Sequence, residues 1–314
     1  MLFIIVISIK KLIANRSHKM SQPTQLYPVL STRNSHERDS NLQFDEPTHK
    51  YSITTDPGST YTSVTTWNHS HFPHFNADEI ISKMMKGKNW NASNKYWGLT
   101  SQQIKDQWNQ NGAAVSGAGT SMHFNIECFM NNPKLEGSYT HKEMVSLYEQ
   151  EQEQEQEQEQ IGLEEKEDPP EWTYFIKYAK AFPELKPYRT EWMIYHEELK
   201  LAGSIDMVYE NPDGSLMIYD WKRCKDIAKS NSFNKYAVTE CINNLPDTNF
   251  WHYSLQLNTY KAIIEAKYGK KVTSLYLVRL HPDNPKKTYE LIKVPNLQDE
   301  IAELFELRRK QILL

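Results

Sequence analysis

The chain has 314 residues and a net charge of −4, and 39% of its residues are hydrophobic, which is enough for a folded core. Its three cysteines, Cys128, Cys224 and Cys241, are too widely spaced for a zinc-binding pattern or a disulfide framework. This composition excludes a disulfide-stabilised protein and favours a reducing, intracellular setting.

The charge is unevenly distributed along the chain. Residues 143–168 contain 11 acidic residues and one lysine. The remainder has 35 basic and 29 acidic residues, a net charge of +6. The folded part is therefore expected to be mildly basic, which is compatible with a polyanionic partner without requiring one.

The N-terminus contains an apolar run, residues 2–9, that is far shorter than the roughly 20 residues a membrane-spanning helix needs. Two lysines follow this run, whereas a signal peptide carries its positive charges before the apolar region. We expect a protein that neither spans a membrane nor is secreted, with Met20 as an alternative start of translation. Residues 1–40 are polar and rich in Ser, Asn and Thr, and are expected to be disordered.

Residues 41–314 are expected to form one domain that begins with a β-hairpin at residues 44–64, with its turn at residues 56–58. Three helices are predicted next, at residues 76–87, 100–110 and 119–131. The second of them has Thr100 as N-cap and Gln103 at the capping-box position.

Residues 149–160 are six copies of the dipeptide Glu-Gln. They have no apolar face, and a solvated low-complexity insertion is expected. The elements predicted after this tract are a helix at 172–181, strands at 191–196, 200–209 and 215–222, a helix at 250–268, strands at 273–280 and 288–294, and a helix at 297–312. This order indicates an α/β fold with a mixed sheet flanked by helices.

Asp220 and Lys222 lie at the end of one predicted strand, and Asp206 lies on the strand before it. Side chains alternate between the faces of a strand, so Asp220 and Lys222 project from the same face, roughly 7 Å apart. Carboxylates bind hard divalent cations, while a lysine can orient an attacking water and offset developing charge. The three residues predict a metal site suited to phosphodiester hydrolysis, although each taken singly also fits a solvent-facing acid or an ion pair.

Two pairs of residues are four apart on predicted helices and therefore share a helix face. They are His123 with Glu127, and Gln256 with Tyr260. Each pair alone is typical of a polar helix surface, and Glu191 alone is typical of a solvated strand end. Their order along the chain carries more information than any single pair.

That order resembles the PD-(D/E)XK nuclease superfamily, in particular its RecB-like exonuclease branch. This branch includes the CRISPR adaptation nucleases and the mitochondrial genome maintenance exonuclease. The matching pieces are residues 119–127, Glu191, residues 203–206, residues 220–222 and residues 256–260.

The resemblance implies a restriction-endonuclease-like core and a site for Mg²⁺ or Mn²⁺. The implied metal-binding groups are Asp206, Asp220, the backbone carbonyl of Trp221, His123 and Glu127. The implied catalytic groups are Asp206 and Asp220, Lys222 as the catalytic lysine, Glu191 supporting the metal or its water, and Gln256 with Tyr260 holding the lysine and the phosphate. Asp220 stands where Glu is commoner, and three scattered cysteines predict no iron–sulfur cluster.

The implied partner is DNA, cleaved from free or single-stranded ends during replication, repair or recombination. The alternatives are a structure-specific endonuclease or RNA-trimming nuclease of the same fold, and a catalytically inactive nucleic-acid-binding module. The densest basic run, expected to track phosphates, is Lys222, Arg223, Lys225, Lys229 and Lys235. Three aromatic residues can either stack on bases or lie in the core: Phe124, Trp192 and Trp221.

Overall fold

The computed structural model describes residues 28–158 and 168–313. Its helices are α1 Val29–Arg33, α2 Val64–His69, α3 Ala77–Lys86, α4 Ser101–Met130, α5 His141–Gln158, α6 Pro170–Ala181, α7 Asn249–Lys267 and α8 Gln298–Ile312. Its strands are β1 Leu42–Asp45, β2 Lys50–Ile53, β3 Thr62–Ser63, β4 Lys186–His196, β5 Leu201–Glu210, β6 Leu216–Lys222, β7 Val272–Arg279 and β8 Glu290–Lys293.

Six strands form the central sheet, in which β5, β6, β7 and β8 are successive neighbours. Strand β4 pairs with β5 along most of its length, and β3 pairs with the first residues of β5. The pairs β3–β5 and β6–β7 are parallel, whereas β4–β5, β5–β6 and β7–β8 are antiparallel. The predicted mixed sheet is therefore confirmed.

Helices cover both faces of this sheet, because strands in the middle of a sheet present apolar side chains on two sides. On β6, Leu216 and Ile218 belong to the core that includes α2, α7 and α8. Tyr219 and Trp221 belong to the opposite core, which includes the C-terminal part of α4 together with α5 and α6. By strand alternation, Asp220 and Lys222 face the α7 side of the sheet.

The sheet opens between β5 and β6, and this opening positions the candidate site. The two strands pair from Glu210↔Leu216 to Met207↔Tyr219. The pairing ends there, so Asp206 and Asp220 are the first residues beyond the last rung on their strands. We call this opening the β5–β6 fork. The backbone N–H of Trp221, freed from the ladder, donates a hydrogen bond to Asp206 Oδ2 at 2.9 Å.

The expectation of disorder is wrong for residues 28–40, which contain α1 and the start of a 3-10 turn. Leu30 is fully buried, and its N–H donates to Asn131 Oδ1 at 3.0 Å. Asp39 lies 2.7 Å from the buried guanidinium of Arg189. A buried arginine needs a charged partner, and this polar segment supplies it. Residues 1–27 lie outside the described residues.

A hairpin is present, but its two strands are β1 and β2 and not the residues on either side of the predicted turn at 56–58. The chain does turn there, without pairing the strands that flank the turn. Strands β1 and β2 pair around residues 46–49, where the Asp45 carboxylate accepts a hydrogen bond from the N–H of Thr48 at 3.2 Å. Such a local carboxylate bond closes a turn without glycine. Residues 62–63, which were expected to belong to the hairpin, pair in parallel with β5 instead.

The two helices predicted at 100–110 and 119–131 are one continuous helix, α4. The predicted capping box of Thr100 and Gln103 is present at its start. The intervening glycines did not end the helix, because each costs only about 1 kcal/mol relative to alanine. Core contacts at Ile104 and at Met122, Ile126 and Met130 hold both ends.

The Glu-Gln tract begins as a continuation of α5 rather than as irregular chain. Glu149 and Glu151 lie 2.6 Å from Lys180 and Lys134, respectively, at largely solvent-facing positions. Residues 159–160 lie outside the described residues. In the described parts of the chain, no helix has the length and apolar character to cross a membrane.

Candidate functional site

Three side chains converge at the β5–β6 fork from three different elements. His123 comes from α4, Glu191 from β4 and Asp206 from β5, and one potential ligand atom from each lies within 4.8 Å of the others. The Nδ1 atom of His123 is 3.6 Å from Asp206 Oδ2 and 3.8 Å from Glu191 Oε1. The sequence predicted His123 and Asp206 as metal ligands and Glu191 as a supporting acid, and the structure places all three around one point.

The ring of His123 is oriented by the backbone of β6. Its Nε2 lies 3.0 Å from the carbonyl oxygen of Trp221, so Nδ1 faces the two carboxylates. Burial alone would lower the pKa of His123, but the charges of Asp206 and Glu191 raise it to about 9. Without a bound cation, this imidazole is therefore protonated at neutral pH and balances the two acids.

Asp220 and Lys222 form a close ion pair on the α7 side of the fork. Lys222 Nζ is 2.6 Å from Asp220 Oδ2 and 4.4 Å from the centre of the Tyr253 ring on α7. Burial alone would lower the pKa of Lys222, but Asp220, Asp206 and Tyr253 raise it above its usual value. The lysine thus remains a cation at neutral pH.

Asp220 is almost completely buried, with 3% of its side chain exposed. Burial and the neighbouring charge of Asp206 raise its pKa, against the opposing effect of Lys222. Although Oδ2 touches Lys222, it makes no hydrogen bond of acceptable geometry within the described residues. The ammonium of Lys222 offsets part of the cost of keeping this buried carboxylate charged, and a bound cation would offset more.

Glu191 has an unusual backbone. It lies in the middle of β4 with φ of 42°, in the left-handed region that residues other than glycine rarely adopt. Its Oε2 accepts a hydrogen bond from Ser204 Oγ on β5 at 2.9 Å. Strained backbone in a strand is typical of functional sites, where surrounding contacts hold a side chain in a required direction.

Glu127, predicted as a further metal-binding group, lies one helical turn after His123. Burial and the charge of Glu191 raise the pKa of Glu127 to about 7, against the opposing effect of His123. Its carboxylate is not among the three groups that meet within 4.8 Å. It therefore lies outside the three-residue cluster, as an acid whose pKa is near neutral.

Gln256 and Tyr260 lie on α7 and contact each other, with Gln256 Nε2 3.4 Å from Tyr260 Oη. Tyr260 is buried beside β5, where a Cβ added to Gly203 would lie 2.9 Å from Tyr260 Cε1. Glycine is therefore needed at position 203, three residues before Asp206, for the close approach of this tyrosine.

Three residues near the cluster were missed by sequence reasoning. Tyr253 precedes Gln256 by three residues and shares its helix face, and Ser204 precedes Asp206 by two residues on the same strand face. These spacings were usable signals. Tyr51 of the hairpin lies near enough that burial and the charge of Glu191 raise its pKa to about 12, and no sequence signal points to it.

The aromatic residues proposed as base stackers divide into two groups. Trp192 and Trp221 are buried in the core, so the core alternative is confirmed for them, whereas Phe124 is half-buried. The basic run after the site is partly paired. Arg223 binds Glu171 at 2.8 Å, and Lys225 lies 3.2 Å from Asp283.

The residues at the fork fit a divalent cation. Two carboxylates of like charge, Asp206 and Asp220, face the same opening, and Asp220 has a buried oxygen that makes no hydrogen bond with the described residues. An imidazole nitrogen and a third carboxylate lie beside Asp206, whereas Asp220 is not among the groups that meet within 4.8 Å. Hard divalent cations prefer such oxygen-rich sets, and the imidazole is better tolerated by manganese than by magnesium.

Comparison with known proteins agrees with this chemistry. A sequence model of the PD-(D/E)XK nuclease superfamily matches residues 96–313. The crystal structure of a "Putative exonuclease" from Eubacterium rectale is similar at 11% sequence identity and a TM-score of 0.30, covering 59% of this chain and 70% of that chain. At this TM-score the similarity adds nothing to the assignment. No curated protein matches.

The matched region contains five of the six strands of the central sheet and every candidate residue from His123 to Tyr260. It covers well over half of the chain. Together, the mixed sheet, the acidic cluster and the match over residues 96–313 show that this chain belongs to the PD-(D/E)XK nuclease superfamily.

Proposed function

We propose that this chain is a metal-dependent deoxyribonuclease of the RecB-like branch, an exonuclease that acts on free or single-stranded DNA ends in replication, repair or recombination. One observation supports the proposal most. His123, Glu191 and Asp206 meet within 4.8 Å directly beside the Asp220–Lys222 pair. Metal ligands and a permanent cation side by side are what phosphodiester hydrolysis requires.

Asp206, Asp220 and His123 would hold the cation, with Glu191 and the Trp221 carbonyl next to them. When bound, the cation polarises the phosphate and lowers the pKa of a coordinated water. Lys222 stays protonated, so it stabilises negative charge that develops on the phosphate rather than taking a proton from water. Glu191 and Glu127 are the acids available to accept that proton.

A catalytically inactive binding module is less consistent with this site. Such a module gains nothing from Asp206, Asp220 and Glu191, because three carboxylates repel a phosphate backbone. A nuclease needs them, because the bound cation reverses their effect on the substrate.

The test is cleavage of end-labelled linear single-stranded DNA, duplex DNA and single-stranded RNA by the purified protein in EDTA, Mg²⁺ or Mn²⁺. Circular single-stranded DNA separates an exonuclease, which needs a free end, from an endonuclease. We expect metal-dependent cleavage of linear DNA and an intact circle. Cleavage of the circle would indicate the endonuclease alternative, and preference for RNA would indicate the trimming alternative.

Two substitutions assign the activity to the fork. Asp206→Asn and Asp220→Asn each remove ligand charge without removing volume, and should abolish cleavage while leaving the protein folded. The matched control is Glu184→Gln, a charge removed from an exposed position outside the cluster. Cleavage that persists in rigorously purified Asp220→Asn protein would refute the assignment of the site.

A further inference from the structure

A second surface, separate from the fork, combines aromatic rings and lysines. It consists of residues 75–108, from two residues before α3 to the first turns of α4, and is called here the aromatic–lysine segment. Of its apolar side chains, Ile81 and Ile104 are buried, whereas Phe75 is 70% exposed and Trp97 is 49% exposed. Its aromatic residues are Phe75, Trp90, Tyr96, Trp97 and Trp108.

These rings are arranged in two groups. Trp108 anchors one group, because its Nε1 donates to Tyr96 Oη at 2.9 Å and its ring lies 6.1 Å from that of Phe75. Trp90 and Trp97 form the other group, with ring centres 5.6 Å apart. The contacts of Trp108 hold the first group together, while about half of the Trp97 surface is exposed to solvent. Soluble proteins seldom expose large rings in clusters without a binding partner.

The segment is also strongly basic. Residues 80–105 contain five lysines and no aspartate or glutamate. Two of these lysines bind acids of α3, at 2.5 Å for Lys83–Glu79 and 2.8 Å for Lys105–Asp78. The other three, Lys86, Lys88 and Lys95, are exposed and form no ion pair with any residue that the structure describes. Their positive charge is therefore available to a polyanion.

The segment is connected to the fork by one continuous helix. Helix α4 runs unbroken from Ser101 to Met130, and thus carries Trp108 in its first half and His123 in its second. Fifteen residues separate these two, which corresponds to about 22 Å at 1.5 Å per residue. No aspartate or glutamate occurs between Asp106 and Glu127, so no acidic side chain of the helix repels phosphate along this path.

The loop that follows the catalytic lysine approaches the same segment. Lys235, in this loop, is near enough to Glu79 on α3 to contribute, after Lys83, to lowering the pKa of that carboxyl. The exposed aromatic residues Phe233 and Tyr236 lie beside Lys235 in the sequence. Basic and aromatic side chains thus continue from the segment towards β6.

We propose that the aromatic–lysine segment binds single-stranded nucleic acid, with bases stacked on Trp97 and Trp90. The phosphates of that strand would contact Lys86, Lys88 and Lys95. A single strand is favoured over a duplex because ring faces can stack only on bases that are free of a partner strand. This proposal rests on the proposed nuclease function for its biological purpose, since α4 would lead the bound strand towards His123, but binding itself requires no catalysis.

The experiment measures binding in EDTA, where no cleavage occurs, by fluorescence anisotropy of a labelled oligodeoxythymidylate. Trp97→Ala should weaken binding about 5- to 150-fold, the loss typical of one stacked base. Trp97→Phe should bind close to wild type, because the ring is kept. Leu307→Ala, a truncation of a partly exposed apolar residue on α8, is the control and should bind like wild type.

The charge component is tested separately. Replacing Lys86, Lys88 and Lys95 by Gln should lower the slope of log affinity against log salt by about 2, at about 0.7 per lost phosphate contact on a single strand. The matched control replaces three exposed lysines elsewhere, Lys142, Lys293 and Lys310, by Gln. Circular dichroism and melting curves establish that each variant is folded.

Binding by Trp97→Ala that equals wild type in a folded protein would overturn the proposal. Equal losses in the Lys86/Lys88/Lys95 triple variant and in the control triple variant would also overturn it. So would a wild-type protein that binds anionic phospholipid vesicles but no oligonucleotide. Single-stranded RNA of matched sequence shows which nucleic acid the segment prefers. If the wild type binds DNA through the segment but cleaves nothing in Mn²⁺, the proposed function fails and the binding proposal stands. If the wild type cleaves DNA and the segment variants bind it normally, the proposed function stands and the binding proposal fails.

Discussion

The imidazole of His123 and the backbone carbonyl of Trp221 are joined at 3.0 Å, which links helix α4 to the last residues of β6. The same peptide segment is held from the other side, because the Trp221 N–H donates to Asp206 at 2.9 Å. A histidine oriented by a backbone carbonyl presents its second nitrogen in a fixed direction, as metal-binding histidines commonly do. The predicted role of His123 as a ligand therefore requires Nδ1 to be deprotonated.

This requirement gives a pH dependence for cation binding. In the absence of a cation the pKa of His123 is raised to about 9, so the ring carries a proton at pH 8 that a bound cation must displace. The affinity for Mn²⁺ should therefore rise about tenfold per pH unit between pH 7.5 and 8.5 and level off above pH 9. Calorimetry at pH 8 in buffers of different ionisation enthalpy should count about one proton released per Mn²⁺. An affinity that is constant over this range would exclude His123 as a ligand.

Lys222 is predicted to act by charge alone. Lys222→Ala should lower the cleavage rate by roughly 10²–10³-fold with little change in Mn²⁺ affinity, the loss typical of one preorganised transition-state stabiliser. Tyr253→Phe keeps the ring above the ammonium and should stay close to wild type, whereas Tyr253→Ala should lie between the two. The measurement is single-turnover cleavage at saturating Mn²⁺. A Lys222→Ala rate within a few-fold of wild type would make this lysine merely an ion-pair partner of Asp220.

Strand periodicity predicted much of the fork correctly. The alternation of β6 places Asp220 and Lys222 on one face, and their charged groups are 2.6 Å apart. The i, i+4 spacing of Gln256 and Tyr260 likewise predicted a contact that exists. Such rules succeed because they depend on local geometry, which the backbone of a strand or helix determines by itself.

Features that depend on distant contacts could not be predicted in this way. The separation of β5 and β6, before Met207 on β5 and after Tyr219 on β6, has no local signal, because the end of β6 is held by β7 and by His123 of α4, both distant in the sequence. The continuity of α4 through its glycines depends on core contacts at both ends. The order of residues 28–40 depends on the burial of Leu30 and Arg189 against residues far along the chain.

The close approach of Gly203 and Tyr260 should make position 203 intolerant of any side chain. In Gly203→Ala the new Cβ would lie 2.9 Å from Tyr260 Cε1 and 3.3 Å from Val64 Cβ, in a buried environment that cannot yield freely. Overpacking of this kind should lower the free energy of unfolding by about 1–3 kcal/mol. The control is Gly112→Ala on the exposed part of α4, where a Cβ meets nothing within 4 Å. Urea denaturation should show a gain of about 0.5–1 kcal/mol for that variant. Equal effects of the two substitutions would contradict the close approach.

The left-handed backbone of Glu191 predicts that glycine is tolerated better than alanine at this position, although neither keeps the activity of the carboxylate. At φ of 42° any side chain with a Cβ is strained, whereas glycine is not. Glu191→Gly should therefore be more stable than Glu191→Ala by about 1 kcal/mol, measured by urea denaturation. Met193, two residues further along β4 with ordinary strand geometry, provides the control. There Met193→Gly should be less stable than Met193→Ala by about 1 kcal/mol.

Both Glu191 variants, and Glu191→Gln, should lose most cleavage if the carboxylate accepts the proton or supports the cation. A glycine variant less stable than the alanine variant would show that the backbone at Glu191 is unstrained. Full activity in Glu191→Gln would instead remove this carboxylate from the chemistry and leave Asp206 and Asp220 as the acids of the site.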